Sequence, residues 1–229
     1  MSPAAAGRPR DPAIDAAVLS SALEVLREHG YAGLALETVA ARAGTTKASI
    51  RRRWPDRRNL VIDALASVLT TPAVPDNGCT RCDLIQSVRL LAEALHNRLP
   101  GRVLAPLVAD SAHDAALHRR LIDVLVQPSR HAATVAVHRA VLRGDLLPET
   151  DPELLVDLLA STVYQRALLA GVPVDQESAS GLVDLLLRGV AVDFDRLVRI
   201  SRRPADARPH QRRDVGCDGA AAGAGPAGV

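Results

Sequence analysis

Aromatic residues make up only 2% of the 229-residue sequence: one Trp, two Tyr and one Phe. That scarcity excludes a core of stacked rings, so burial must come from aliphatic side chains. Cysteine occurs three times, too few for a disulfide scaffold at this length. No run approaches the ~18 uninterrupted apolar residues of a membrane span, so no membrane partner is expected. The opening MSPAAAGRPRD lacks the apolar stretch of a secretory signal, and a cytoplasmic location is expected. No stretch alternates with period two, and no Asn-Gly or Asp-Gly turn joins two β-branched runs, which argues against strands. Gly-rich phosphate loop, GxSxG elbow, HExxH and dense carboxylate cluster are all missing, so neither an enzyme nor a bound cofactor is expected. Balanced charge and a hydrophobic content of 48% exclude disorder throughout.

The net charge of +2 conceals an asymmetry. Residues 1–60 carry ten Lys/Arg against six Asp/Glu, whereas residues 61–195 carry 11 against 17. The last 34 residues carry seven against three. A basic head on an acidic body suits an anionic polymer that meets the head alone. The densest cluster is Lys47, Arg51, Arg52, Arg53, Arg57 and Arg58, opposed only by Asp56. A solvated charged face would carry the same residues, so the surrounding pattern has to decide.

That pattern is helical. Asp11-Pro12 is an N-cap followed by proline in the first turn, and Ile14, Val18, Leu19, Ala22, Leu23 and Leu26 repeat at helical spacing until Gly30. A short helix over about 36–43 stops at Gly44. Thr46 caps a third from Lys47 to Arg53, buried through Ile50 and Trp54, and Asp56 caps a fourth. TPAVPDNG then marks a boundary. Helices follow at roughly 82–98, 103–111, 114–143, 152–171 and 177–200, with Pro128 kinking or splitting the third. Residues 201–229 lack periodicity and are expected to be disordered, as are residues 1–10, a basic arm that could enter a minor groove.

Two short helices joined by Gly44-Thr45-Thr46 have helix-turn-helix proportions over about 36–55. With Ile50 and Trp54 inward, Lys47, Ser49, Arg51, Arg52 and Arg53 point wholly or partly outward, where Arg and Lys can donate to guanine edges. Helix starts favour Thr38 and Thr46 as phosphate anchors. The candidate DNA contacts are therefore Thr38, Thr45, Thr46, Lys47, Ser49, Arg51, Arg52, Arg53 and Arg57. Tyr31 reads as a turn-packing aromatic, its hydroxyl a further candidate for phosphate.

Residues 28–60, EHGYAGLALETVAARAGTTKASIRRRWPDRRNL, resemble the tetracycline-repressor (TetR) family of bacterial regulators. His29-Gly30-Tyr31, Val39-Ala40-x-x-Ala43-Gly44, Thr46-Lys47-Ala48-Ser49-Ile50 and Trp54-Pro55 carry the likeness, which spans about residues 11–70. More loosely, RGDLLPETDPELLVDLL and LLLRGVA are similar to ligand domains of actinobacterial-type members. The resemblance implies an all-α protein, with a three-helix helix-turn-helix DNA-binding domain over 11–71 and a helical ligand-binding and dimerisation domain over 79–200. It also implies a double-stranded operator and a small-molecule effector. Arg51 and Arg52 stand where the family often has phosphate-touching tyrosines, and Ala35 stands where a Ser/Thr cap is common, weakening that helix start by ~1 kcal/mol.

Leucines and valines of the last two long helices spread over more than one face, which predicts a homodimer through a four-helix bundle of two copies of 152–171 and 177–198. A wholly internal pair is the alternative. Polar residues within these apolar stretches, His131, His138, Thr162, Tyr164 and Gln165, are candidates for orienting a ligand in an aliphatic pocket. Cys79-x-x-Cys82 beside a helix start can act as a redox switch or supply half a metal site, although no second such pair accompanies it. The leading expectation is an effector-released repressor without catalysis or a bound metal. The alternatives are a constitutive architectural DNA-binding protein and a redox- or metal-responsive regulator through Cys79/Cys82.

Overall fold

The inward side of α1 (Pro12–His29) carries Val18, Ala22, Val25 and Leu26, all buried. In the computed structural model, which describes residues 12–69, 74–98 and 101–208, this side packs on α2 (Leu36–Arg42) and α4 (Arg57–Val68). α3 (Lys47–Arg53) lies against α2. Helices as short as α2 and α3 are unstable alone, so the core must hold them. For α3 that hold is Ile50, 0% exposed, and the closing Trp54, 6% exposed. Each contributes roughly 1.5–3 kcal/mol of burial. The turn between α2 and α3 needs Gly44, whose φ is 62°. Its N–H donates to the Ala41 carbonyl at 3.4 Å and the Thr45 N–H to the Ala40 carbonyl at 3.0 Å, a Schellman closure that turns the chain into α3. As expected, Ala35 provides no side-chain cap for α2, whereas Thr46 and Asp56 cap α3 and α4.

The body is built around α5 (Thr80–Glu93), which packs on α8 (Gln127–Leu142), α9 (Pro152–Tyr164), α10 (Gln176–Val190) and α11 (Phe194–Ser201). α6 (Gly101–Ser111) and α7 (Ala115–Leu121) fill the space beneath the head. Three π turns extend these helices: Ala94–Arg98 after α5, Ile122–Val126 between α7 and α8, and Gln165–Ala170 after α9. The second immediately precedes the α8 turn that holds Pro128. A proline lacks the N–H for the carbonyl four residues back and crowds it, and a widened turn relieves both.

Among the described residues the chain is helical, with one isolated β-bridge, Leu146 to Ala191, and no strand. That bridge corrects one expected element. The segment 177–200 is two helices, because Leu147 N–H donates to the Val190 carbonyl at 2.9 Å and Val192 N–H to the Asp145 carbonyl at 3.1 Å. Asp193 then caps a fresh helix, accepting from Arg196 N–H at 2.8 Å. Part of the segment expected to lack structure is ordered. Residues 201–208 end α11 and form a 3-10 turn, Ala205–Ala207, where Arg208 donates to the Arg203 carbonyl at 3.1 Å. The expectations for 1–10 and 209–229 lie outside the described residues. Cys79 and Cys82 form a disulfide across the first turn of α5, with Cα atoms 5.2 Å apart.

Candidate nucleic-acid interface and effector cavity

The residues predicted to face a duplex divide into two groups. Arg51 and Arg52 are exposed and have no ion pair among the described residues. Lys47 pairs with Glu37 of α2, which holds the Glu37 carboxyl below the usual carboxylate range. Thr46 accepts from Ser49 N–H at 3.1 Å while its own hydroxyl hydrogen stays available, and Thr38 and Thr45 are half-buried. Arg53 departs from the outward orientation expected of it. Its side chain is 16% exposed, pairs with Asp15 of α1 and donates to Ser49 Oγ at 3.2 Å, so it fastens α3 to α1. Arg57 also turns away from α3. Its guanidinium lies over the Tyr31 ring at 4.9 Å and 3.8 Å from Asp110 of α6.

Tyr31, read from the sequence as a turn-packing aromatic, is buried and belongs to this junction too. Its hydroxyl donates to Asp110 Oδ2 at 2.5 Å, and burial, then this bond, push the phenol pKa well up, keeping it protonated. Arg58 bridges Asp56 at 2.7 Å and Asp114 at 3.2 Å, while Arg120 of α7 donates to Asp63 at 2.5 Å. Head and body thus meet through charged hydrogen bonds rather than through apolar packing alone. Nothing in the sequence pattern pairs Tyr31 with a carboxylate 79 positions away.

Below the junction lies an apolar cavity with several lobes. An inner lobe of 230 Å³ is walled by aliphatic residues including Leu95, Leu104, Leu125 and Leu168, and among the described residues its polar side chains are Ser129 and Tyr164. A neighbouring lobe of 360 Å³ shares Leu91, Ile122, Val126, Ser129 and Tyr164 and reaches Ser87, Arg130 and Asp157. A third, of 270 Å³, shares Leu69, Leu91 and Ser129 with the inner lobe, reaches Pro75 at the α4–α5 connection and is more polar, with the ion-paired Glu93 and Arg98 in its wall. Of the five candidate ligand residues, Tyr164 alone lines these lobes. His131, His138 and Gln165 stand exposed and Thr162 is half-buried outside the lining, so those four expectations do not describe this cavity. The sequence pattern does not single out Ser87 or Ser129; its one signal is Pro128, which forces the wide turn that Ser129 follows.

A different surface carries apolar residues outward. Leu154 and Leu158 of α9 are 56% and 44% exposed, and Leu185 of α10 is 69% exposed, flanked by the exposed Gly181 and Gly189. The opposite sides of the same helices, Leu155, Leu159, Val183 and Leu187, are buried in the body. No helix among the described residues is long and apolar enough to cross a membrane.

A head of four helices that contains a helix-turn-helix, carried on an all-helical body, has the architecture of a helix-turn-helix transcription regulator. The pattern of bacterial regulatory proteins of the tetR family matches residues 18–64, and that of the tetracyclin repressor-like C-terminal domain matches residues 74–186. The HTH-type transcriptional regulator YdeS of Bacillus subtilis, itself uncharacterized, is 29% identical over 185 residues, covering 80% of this chain and 93% of that protein. A DNA-binding transcriptional repressor TetR of Mycobacteroides abscessus is 31% identical over 174 residues, covering 75% of this chain and 90% of that protein. The crystal structure of the TetR family transcription regulator SCO0332 superposes with a TM-score of 0.64 at 32% identity, covering 78% and 98% of the two chains. The chain belongs to the TetR family of transcriptional regulators.

Proposed function

We propose that the protein is a repressor that binds a palindromic operator as a homodimer and is released by a small molecule lodged in the body. The observation that carries the DNA reading is the pair Arg51 and Arg52, exposed on a helix seated by Ile50 and Trp54 and fastened by Arg53. One head reads too few base pairs for useful specificity, so two heads on one dimer are needed. The apolar α9–α10 face supports that pairing through 152–171 and 177–198, α11 joining the second segment after its break. Repression is supported by the description of the Mycobacteroides abscessus relative. The effector acts by favouring a body arrangement that the DNA-bound dimer does not adopt. Selection of bound fragments from random duplexes tests the reading: a palindrome is expected, and absence of any enriched sequence refutes it. Binding that no small molecule alters would instead mark a constitutive architectural protein.

A second reading rests on the Cys79–Cys82 disulfide at the start of α5, beside the linker from the head. Two thiols there would pass two electrons and two protons to a low-molecular-weight disulfide, which leaves as two thiols. Among the described residues no group of three or more His, Cys, Asp or Glu is placed to hold a metal, so the sulfurs favour redox over metal response. Operator affinity measured in oxidised and reduced glutathione, with the Cys79→Ser/Cys82→Ser protein as reference, separates this reading from the first.

A further inference from the structure

We infer that the cavity takes a neutral, largely aliphatic molecule carrying one hydrogen-bonding group, which sits between Tyr164 and Ser129. This rests on reading the cavity as the effector site. Among the described residues the wall of the inner lobe holds no charged one, so an ion placed there would lose its hydration without a partner. Its hydrogen-bonding capacity is confined to two hydroxyls, and neither Tyr164 nor Ser129 has a side-chain partner among the described residues. Both also line the adjoining lobe, which places them where the two spaces meet. Burial pushes the Tyr164 phenol up, so it stays a protonated donor across the physiological range. The adjoining lobe offers no countercharge for a carboxylate either. Its one cation, Arg130, is bonded to Asp157 at 2.9 and 3.2 Å and paired with Glu153, a net negative group.

The three π turns are an independent observation. Each contributes to the inner lobe: Leu95 from the first, Ile122 and Leu125 from the second, Leu168 from the third. A π turn costs helix hydrogen bonding and gathers at functional sites. Three of them around one space describe a wall that opens room for an apolar body and that repacks when the room is filled. With Ala94 and Leu95 in the π turn that continues α5 and Ile122 in the one that continues α7, occupation acts on the helices next to the head–body junction.

The test is displacement of the neutral fluorophore N-phenylnaphthylamine from the full-length protein at neutral pH, without DNA. Decanol is expected to displace it at least a hundredfold more effectively than decanoate, after correction for the water–alkane partition of each. Tyr164→Phe should weaken decanol about five- to tenfold while leaving decylbenzene, which has no hydroxyl, unchanged. Leu168→Trp, at a half-buried position, should exclude all three, with helicity by circular dichroism establishing that it folds. Equal displacement by decanoate, or a Tyr164→Phe effect that is the same for decanol and decylbenzene, overturns the assignment. Because the assay contains no operator, failure of the repressor reading would appear separately, as decanol binding that does not release DNA.

Discussion

The indole N–H of Trp54, the residue that closes α3, donates to the Asp63 carboxylate at 2.9 Å, and Arg120 of α7 donates to the other oxygen of that carboxylate at 2.5 Å. One side chain of α4 therefore joins the seat of α3 to the body. Asp63→Ala should leave the buried indole N–H without a partner and cost about 1–3 kcal/mol in urea denaturation. Trp54 is the sole tryptophan, so its emission reports the change directly. Asp63→Asn retains an acceptor for the indole and should spare most of the Trp54 signal while weakening the bond to Arg120. Identical behaviour of the two variants would show that Asp63 acts only as a surface group.

The arginines of α3 should separate by kind of effect. Arg51→Ala and Arg52→Ala remove exposed cations, so each should leave stability unchanged. Where the guanidinium meets a phosphate, its removal reduces the salt slope of operator binding by ~0.9; where it meets a base edge, its removal costs roughly 1–3 kcal/mol at one operator position. Arg53→Ala removes the tie to Asp15 and Ser49, and thermal denaturation should register it first. An Arg53 variant with a lowered salt slope and unchanged stability would place that guanidinium on the duplex instead.

The contrast between Arg52 and Arg53 shows what the sequence discloses and where it stops. Helical periodicity, the Thr46 and Asp56 caps and the Ile50/Trp54 pair are local features, so the head can be laid out residue by residue. Arg53 lies one position from Arg52, and only the packing of α1 brings Asp15 within its reach. In the body the same limit is more severe. Hydrophobic spacing marks the helices, but apolar cavities arise from helix widening, which leaves no periodic trace. His131 and His138 stand out in the sequence as polar residues within apolar runs, and in the fold they form the solvent face of α8. The break at Ala191 is hidden for a related reason: it depends on Leu146 and Leu147 from a distant turn.

Asp83 of α5 should make stability fall as pH rises. It is buried, accepts from Asn77 N–H and side-chain amide at 2.9 and 3.0 Å, and has, among the described residues, only Arg143 at 4.0 Å as a cation. Burial pushes its carboxyl above the ordinary value of 3.8, and the Asn77 bonds only partly offset that. The folded state therefore holds this proton more tightly than the unfolded chain. The favourable difference is complete below 3.8 and is lost as pH climbs through the raised folded value. Asp83→Asn keeps an acceptor for Asn77 without the buried charge. Urea denaturation across the acidic range should show a flatter pH profile for the variant and equal or greater stability at neutral pH; a steeper profile would contradict this account.

Pairing of two protomers should depend on the outward leucines of α9 and α10. Leu154 and Leu158 lie one helical turn apart, and Leu185 lies between Gly181 and Gly189, where small residues permit close approach of a partner helix. In a two-fold dimer each substitution acts twice. Leu158→Glu or Leu185→Glu should thus remove about 3–6 kcal/mol of association, roughly two to four decades in Kd. Because these side chains are exposed in the protomer, circular dichroism should be unchanged while light scattering at micromolar concentration moves from dimer to monomer mass. Such a monomer keeps an intact α3, so gel-shift affinity for a full palindrome should drop to that for a single half-site. A variant that stays dimeric and reads the full palindrome would place the association surface elsewhere on the body.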